Sequence, residues 1–551
     1  MLREKIIESD VLVVGGGVAG CFAAVRARER GLNVTLVDMG YTGYTGATRW
    51  SLSGFIVYNP DWGIDLQQCI DFISKMGEYM NDREWTEIIL KESWQIFQEL
   101  MSWGADFRFE GPDGRPYVED FLPVTVVRIG EMGLGPACRK RAEGLGVKIL
   151  DRIMVTDLLK SDNEVVGAVG FSLYTGDFYI FKAKATVLAT GGFGYGTGSG
   201  AVLAYKAGAE ITCNGFNHTW PGAGSYPGGW PAISARSVFM RFVDGEGRKI
   251  DHPPNEELVD LKMVFLIHAG KGPIYWDLNS ATPEDIERMR RRIKNTYPKF
   301  DTGFDPAQGG RILMDGHAVY DSGGAWLINK KCATSLPGLF AAGLSAYANI
   351  LFRGAYHHAP GEGLTPSAVT GSRAGLGAAE YALQTEGADV DASVLREIKE
   401  DAYRPVNRKS GFDPRWTAQV VQSIMTPYFI SLIKRGDRLE AALTLIEFIR
   451  DHIVPKLYAR DWHELWLAHE VRNMVLNAEI SLRASLFRTE SRGTHYREDY
   501  PRRVDPDWLA WVKFKNDYGK MKIWKEPIPQ KWWPDLSKPY EERYPRRFPG
   551  E

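Results

Sequence analysis

The chain has 551 residues, of which 25% are charged and 44% hydrophobic, the composition of a globular protein of roughly two to four domains rather than of a disordered one. Its 67 Lys and Arg nearly balance 69 Asp and Glu, and the net charge of −2 argues against a nucleic-acid partner. Cys21, Cys69, Cys138, Cys213 and Cys332 are too scattered for a zinc or iron–sulfur site and suit a reducing compartment.

The N-terminus is polar and runs directly into a strand pattern, and no apolar run reaches membrane-spanning length, so a cytoplasmic protein without direct membrane insertion is expected. Val11 to Val14 read as a central parallel strand. Gly15, Gly17 and Gly20 then have the spacing that gives a tight turn, a close backbone approach to a pyrophosphate and close helix packing. Asn33 to Asp38 form a second strand ending in a carboxylate about 20 residues after the glycines, where a ribose-binding acid belongs. Residues 1 to about 60 therefore read as a dinucleotide-binding β-α-β unit.

From Trp62 to Arg108 the pattern turns helical, with Trp85, Ile88, Leu90, Trp94, Ile96, Phe97 and Leu100 forming an apolar stripe that reads as core. Val147–Leu150, Glu164–Gly170 and Phe178–Phe181 alternate as strands do and predict a small antiparallel sheet, followed by a buried strand from Ala185 into Gly191 and Gly192. Between about 215 and 315 the composition shifts to Trp, Pro, Gly and His, with a charged helix over Pro283 to Lys294. This predicts an inserted domain placed as a lid. Leu336 to Gly343 restore strand character, Thr365 to Leu383 read as a small-residue helix that packs on the nucleotide unit, and the chain is mainly helical from Ala392. The expected division is 1–214 and 316–390 for the two parts of the dinucleotide domain, 215–315 for the cap, 391–500 for a helical domain and 501–551 for an extension rich in Trp, Pro and basic residues.

Four motifs in this order resemble the flavoprotein subunits of the fumarate reductase and succinate dehydrogenase superfamily. They are Gly15-Gly-Gly-Val-Ala-Gly20, Ala189-Thr-Gly-Gly192 followed by Gly198 to Ala209, Pro337-Gly-Leu-Phe-Ala-Ala-Gly343, and Glu490-Ser-Arg-Gly-Thr-His-Tyr-Arg-Glu-Asp-Tyr-Pro501. The resemblance covers most of the chain and in detail is similar to the alpha subunits of adenylylsulfate reductase. It implies an α/β fold: a Rossmann-like FAD-binding domain with an inserted α+β capping domain and a C-terminal helical domain. It also implies FAD contacts from Gly15, Gly17, Val18, Ala19, Gly20, Asp38 and Met39, from Gly46, Ala47, Thr48, Ser53 and Gly54, from Met154 and Val155, from Ala189, Thr190, Gly191 and Gly192, and from Gly343, Leu344, Gly363 and Leu364. Many succinate dehydrogenases attach FAD to a histidine in the stretch that here reads Thr45 to Gly54. No histidine stands there, so the FAD is expected to be noncovalent.

Asp315-Gly-His317, followed by Gly323-Gly-Ala-Trp-Leu327, is similar to the segment carrying an active-site histidine in the reductase alpha subunits and makes His317 the first catalytic candidate. His357, His358 and Arg353 on the return segment and His218 in the cap are the others. Imidazoles exchange protons near neutral pH, and a guanidinium suits a carboxylate or the anionic edge of a flavin. The substrate arginines of the dicarboxylate enzymes find His357 to Gly361 and Leu261-Lys262-Met263 in their places, and the cap arginine of the adenylylsulfate reductases finds His218-Thr-Trp-Pro. These departures argue against fumarate and adenylylsulfate as substrates.

The expected activity is electron exchange between flavin N5 and a small anionic or oxygenated substrate. A ferredoxin-like iron–sulfur subunit is the expected electron partner, because the chain has neither cluster cysteines nor a second nucleotide fingerprint for NAD(P)H. The alternatives are a reductase or dehydrogenase of an activated carbon–carbon double bond, as in fumarate, urocanate and ketosteroid enzymes, and a non-catalytic electron-carrying subunit. Nothing in the chain opposes assembly into an oligomer. Glu490, Arg492, His495 and Arg497 are expected to fix domain docking, and Lys520 to Arg547 to cover the body of the protein or dock an acidic partner.

Overall fold

The computed structural model describes residues 3–50, 54–108, 118–121, 123–130, 133–192, 198–219, 235–236, 238–252, 256–296, 303–314, 318–319, 321, 323–356 and 361–551. Its centre is a seven-stranded sheet in which β1 (Glu4–Val14) pairs in parallel with β2 (Val34–Asp38), and β2 in turn with Lys148–Asp151. On its other edge β1 pairs in parallel with the 11-residue strand Phe178–Leu188 along nearly its whole length. That strand changes neighbours midway. Phe178 to Lys182 pair antiparallel with Gly167 to Phe171, and Thr186 to Leu188 pair in parallel with Leu339–Ala341.

The antiparallel strands Ile153–Ser161 and Glu164–Ser172 are thus an extension of the main sheet, and of the segments expected to form a small antiparallel sheet, the first pairs in parallel instead, as Lys148–Asp151 beside β2. Phe178 to Phe181 and Ala185 to Leu188 are one strand. Nothing between them breaks the period-two pattern, and Lys182 and Lys184 simply take the half-exposed positions of a continuous strand.

Helix α1 (Val18–Glu29) is buried along almost its entire length, so it reads as a run of small and apolar residues rather than as an amphipathic stripe. The helix Leu364–Gln384 lies against it. A Cβ on Gly371 would fall 2.3 Å from the Ala19 carbonyl oxygen, and one on Gly375 would fall 2.3 Å from that of Ala23, so glycine at both positions lets the two backbones touch. The five thiols are all free and buried.

Residues 235–314 carry a separate core. The antiparallel strands Lys249–Ile250, Phe242–Asp244, Ile274–Asp277 and Arg311–Leu313 pack Phe242, Ile274 and Trp276 against Val259 and Met263 of the helix Glu256–Leu266 and Met289 of the helix Pro283–Thr296. Inside it, Arg236 and Asp260 form a buried ion pair. The outer face of Glu256–Leu266 rests on the C-terminal part of the chain, where Phe265 meets Tyr496 edge to face at 5.0 Å and the His268 imidazole lies 2.8 Å from the Glu498 carboxylate.

The helices Pro414–Met425, Gly436–Phe448 and Trp462–Phe487 share a second core through Val421, Leu439, Ile446, Val471, Val475 and Leu482. The Asp461 carboxylate caps the longest of them by accepting the Glu464 amide at 2.8 Å. Beyond it the chain buries charge. Glu490 accepts from Arg488 at 2.8 Å, from Arg492 at 2.8 and 2.9 Å and from the Val504 amide at 2.9 Å, and all three charged side chains have no exposed surface.

Arg492 continues the network to Asp505 at 2.7 Å, and Arg503 donates to Glu78 at 2.7 Å and to Glu551 at 2.8 Å. The last residues wrap the body: the hairpin Ala510–Asp517 and Lys520–Pro527 extends the sheet begun by Ile211–Thr212, and Ile528, Trp532 and Phe548 are buried.

Removing one member of a buried ion cluster strands the others, at a cost of about 3–5 kcal/mol, whereas exposed pairs contribute about 0–1 kcal/mol. Glu490→Gln is therefore expected to lower stability by about 3–5 kcal/mol in denaturant unfolding, and disruption of the exposed Arg547–Glu541 pair by less than about 1 kcal/mol. Burial works to raise the Glu78 carboxyl, but the guanidiniums of Arg503, Arg546 and Arg492 overcome it and hold the group at about 2. A carboxyl held down in the fold contributes its stabilisation above the ordinary value of 4.5 and loses it as pH falls toward 2. Glu78→Gln should flatten the fall in stability across that window, and acid-unfolding curves of the two proteins would measure it.

Candidate functional site

The turn between β1 and α1 opens into a cavity of about 490 Å³. Gly15 has φ +110°, and a Cβ there would lie 2.3 Å from the Ala189 carbonyl oxygen, so the strand ends at 14 and 188 can converge only over glycine. Gly20 sits one helical turn on, where a Cβ would meet the Gly15 carbonyl oxygen at 1.8 Å. Its role is to seat α1, and it does not line the cavity. The N-terminus of α1 has Gly17 as its cap with no side-chain acceptor, and Thr48 Oγ1 takes the Val18 amide at 3.0 Å. The first turn of α1 thus borders the cavity with glycine backbone and the positive end of the helix dipole, which suits a phosphate.

Asp38 closes the nucleotide side. Its two carboxylate oxygens accept the Gly16 amide at 2.5 Å and the Gly40 amide at 2.6 Å. Burial raises its pKa, and the two amides pull it the other way. Each oxygen keeps lone-pair capacity for a ribose hydroxyl. Met39, Arg152, Met154, Leu173 and Trp466 surround the same end, and the Trp466 indole donates to the Met39 sulfur at 2.9 Å.

From there the cavity runs past Ala189 to Gly192, Ser199 and Leu203 to the return segment. Hydrogen bonds hold that segment in place: the Ala342 amide donates to the Leu188 carbonyl at 2.9 Å, the Gly343 amide to Thr370 Oγ1 at 2.9 Å, and the Thr190 amide to Ser345 Oγ at 2.9 Å. The glycine cradle, the helix terminus and the acid fit an FAD molecule.

Of the cofactor residues expected from sequence, Gly15, Gly17, Val18, Ala19, Asp38, Met39, Gly46, Ala47, Thr48, Met154, Val155, Ala189, Thr190, Gly191, Gly192, Gly343, Leu344, Gly363 and Leu364 line this one cavity. Gly54 does not. Its carbonyl instead abuts Gly361, a lining residue, where a Cβ would come within 3.0 Å. Ser53 lies outside the described residues.

The far end is polar, lined by Asp321, Tyr347, Arg353 and Glu362. Tyr347 takes a left-handed backbone, φ 56°, and its hydroxyl donates to Asp321 Oδ2 in a short hydrogen bond. Burial and the Asp321 charge push that phenol well above its ordinary value, so Tyr347 stays protonated. Asp321 is fixed on all sides: it accepts the Gly323 amide at 3.0 Å and the Asn214 amide at 3.3 Å, and its own amide donates to Asn217 Oδ1 at 2.8 Å. Arg353, the last residue of the helix Ala348–Arg353, is 2% exposed and faces the cavity.

The other catalytic candidates stand differently. His317, His357 and His358 lie outside the described residues. The strand His218–Thr219 pairs antiparallel with Ala318–Val319, which brings the backbone of position 218 beside the residues that immediately follow 317. Among the described residues no cluster of His, Cys, Asp and Glu could hold a metal. Sequence reasoning misses Arg152, Asp321, Tyr347, Glu362 and Trp466. A tyrosine in left-handed backbone and a tryptophan delivered from 427 residues away carry no local signal, whereas Asp321 stands within the segment that the sequence singles out around His317.

Asp38→Ala removes a charged acceptor of two amides, a loss of about 1.5–3 kcal/mol for hydrogen bonds of this type. FAD affinity should fall roughly ten- to hundredfold, measured by the rise in fluorescence of flavin released on dilution.

Two family models match the chain: one described as an FAD binding domain over residues 10–218, and one described as the fumarate reductase flavoprotein C-terminus over residues 419–544. One subunit of the CoM/CoB fumarate reductase of Methanothermobacter marburgensis is 26% identical over 549 residues, with 92% of this chain and 97% of that one covered. Among solved structures, adenylylsulfate reductase of Archaeoglobus fulgidus superposes with a TM-score of 0.77 at 23% identity, covering 96% of this chain and 97% of the other. The Mycobacterium smegmatis Sdh1 complex with UQ1 gives 0.81 at 24%, covering 98% of each. With the FAD cavity at its centre, the chain belongs to the fumarate reductase and succinate dehydrogenase flavoprotein family of FAD-dependent oxidoreductases.

Proposed function

We propose that this flavoprotein binds FAD noncovalently and exchanges electrons between flavin N5 and a small anionic or oxygenated substrate, with an iron–sulfur protein as its electron partner. The observation that carries this reading is the buried Arg353 at the polar end of the cavity, beside Asp321, Tyr347 and Glu362. A guanidinium there stabilises negative charge in a water-poor setting, where such a donor is worth far more than in water. FAD supplies the two-electron chemistry.

The protein holds the nucleotide through Gly15, Gly17 and Asp38 and lines the flavin path with Thr190 to Gly192, Gly343, Leu344 and Gly363. His317, His357, His358 and His218 are the groups that move protons on the substrate side. The cap, residues 215–315, excludes water as it closes. No histidine precedes His218 in the chain, which supports noncovalent FAD. The Methanothermobacter relative is named as one component of a fumarate reductase, which supports a complex of several chains and favours a second reading, reduction of an activated carbon–carbon double bond. No helix of the described residues is long and apolar enough to cross a membrane, and the five free thiols support the cytoplasm as its compartment.

Acid precipitation is expected to release all of the yellow colour as FAD. Two anaerobic titrations then separate the chemistries: sulfite added to the oxidised flavin bleaches it by forming an adduct, and an enoate added after reduction reoxidises the reduced flavin. Reaction with neither leaves only the electron-carrier role. In whichever reaction is found, Arg353→Gln should slow turnover by about a hundredfold or more, read from stopped-flow absorbance of the flavin.

A further inference from the structure

Behind the polar end of the cavity lies a lysine with no exposed surface. Lys434 is 0% exposed and sits on the short strand Ile433–Lys434, which pairs in parallel with Tyr496–Arg497. Its ammonium donates to the Gly215 carbonyl and, at 3.0 Å, to His495 Nδ1. Gly215 is at φ +72°, and a Cβ there would meet Ser485 Oγ at 2.8 Å and His495 Nδ1 at 3.3 Å, so no larger residue fits this packing.

His495 is also 0% exposed, and its Nε2 lies 3.2 Å from the Arg488 carbonyl oxygen. With Nδ1 accepting, Nε2 carries the ring proton, and the imidazole is neutral. Burial and the cations of Lys434, Arg488 and Arg497 all oppose a second proton. The charges that bear on Lys434 are Asp321, which is the strongest, then the Cys213 thiol, Arg497 and Arg488. Asp321 is the residue that receives the Tyr347 hydroxyl at the cavity wall. Asn217 ties the two regions together by accepting the Asp321 amide and donating to the Ser431 carbonyl at 2.7 Å, three residues before Lys434.

We propose that Lys434 is a positioning residue that couples the charge of the FAD cavity to a buried proton: a neutral amine behind Asp321 becomes an ammonium as the cavity gains electrons. The inference rests on the oxidoreductase reading above. When two electrons from a reductant enter with one proton, the cavity retains one negative charge. A second proton from solvent bonds to Lys434 Nζ and offsets it, and it leaves again on reoxidation. Asp321 carries the electrostatic link, and the neutral His495 accepts the hydrogen bond in either state.

Burial pulls the Lys434 ammonium down to about 7 against the opposing pull of Asp321. The amine is therefore mostly neutral above that pH, and negative charge added at the cavity raises the value. Proton uptake on reduction should accordingly exceed the flavin's own uptake only above about pH 7.

The test is the midpoint potential of the bound flavin against pH, followed by absorbance in the intact protein. From about pH 7.5 to 9, the wild-type slope should be that of two protons per two electrons, and Lys434→Met should show one. Lys434→Arg keeps the cation but does not titrate in this range, and it should also show one. A one-proton slope in the wild type, or a two-proton slope retained in either variant that binds FAD, overturns the proposal. A one-proton slope in the wild type overturns the proposal even where neither variant holds FAD. A bound flavin that no reductant reduces would refute the oxidoreductase reading instead, so the two failures are distinct.

Discussion

Direct backbone contact between α1 and the helix Leu364–Gln384 is the constraint on which the rest of the site depends. The two helices come from parts of the chain separated by the antiparallel strands and the cap, yet Gly371 and Gly375 leave no side chain between them. Because the return helix is seated so deeply, Gly343 and Gly363 at its start reach the same cavity as Gly15 and Gly17. A methyl group on either helix glycine would collide with carbonyl oxygen, and tight cores accommodate such additions only by moving backbone. Here that movement would separate the two halves of the cofactor cavity.

The second device is buried charge. Hydrophobic contact is tolerant of orientation, whereas the forked hydrogen bonds of Arg488, Arg492, Arg497 and Arg503 fix angles as well as distances. Through them, residues 488 to 505 join Glu78 near the front of the chain, the hairpin at 510–527 and the final residues into one rigid block. The helix Glu256–Leu266 and the turn after it rest on that block through Phe265 and His268. The same block encloses Lys434, whose proton the fold leaves undecided near neutral pH.

Much of this is legible in the sequence, for identifiable reasons. The strand–glycine–helix–acid order of residues 10–38 is local chemistry, and its Gly15, Gly17 and Asp38 line the cavity. The small-residue helix read over Thr365 to Leu383 and the structural role of Glu490, Arg492 and Arg497, which are buried and form ion pairs, also follow from residue type and spacing. Strand neighbours are where the sequence misleads. Strand Phe178–Leu188 reads as two elements in two sheets, because alternation reports which face is buried and not which strand lies alongside. Tyr347 and Trp466 are in the site because of where distant segments land, and no window of sequence encodes that.

The Trp466 indole, hydrogen-bonded to Met39 at the nucleotide end of the cavity, has a further consequence for biosynthesis. A nascent chain that has emerged only as far as the cap has its first two parallel strands but lacks the return segment and the tryptophan side of the pocket. The cavity cannot be complete until well past residue 466 has left the ribosome. A complete cavity therefore requires the helix Trp462–Phe487 to pack against Met39, in the part of the chain made first.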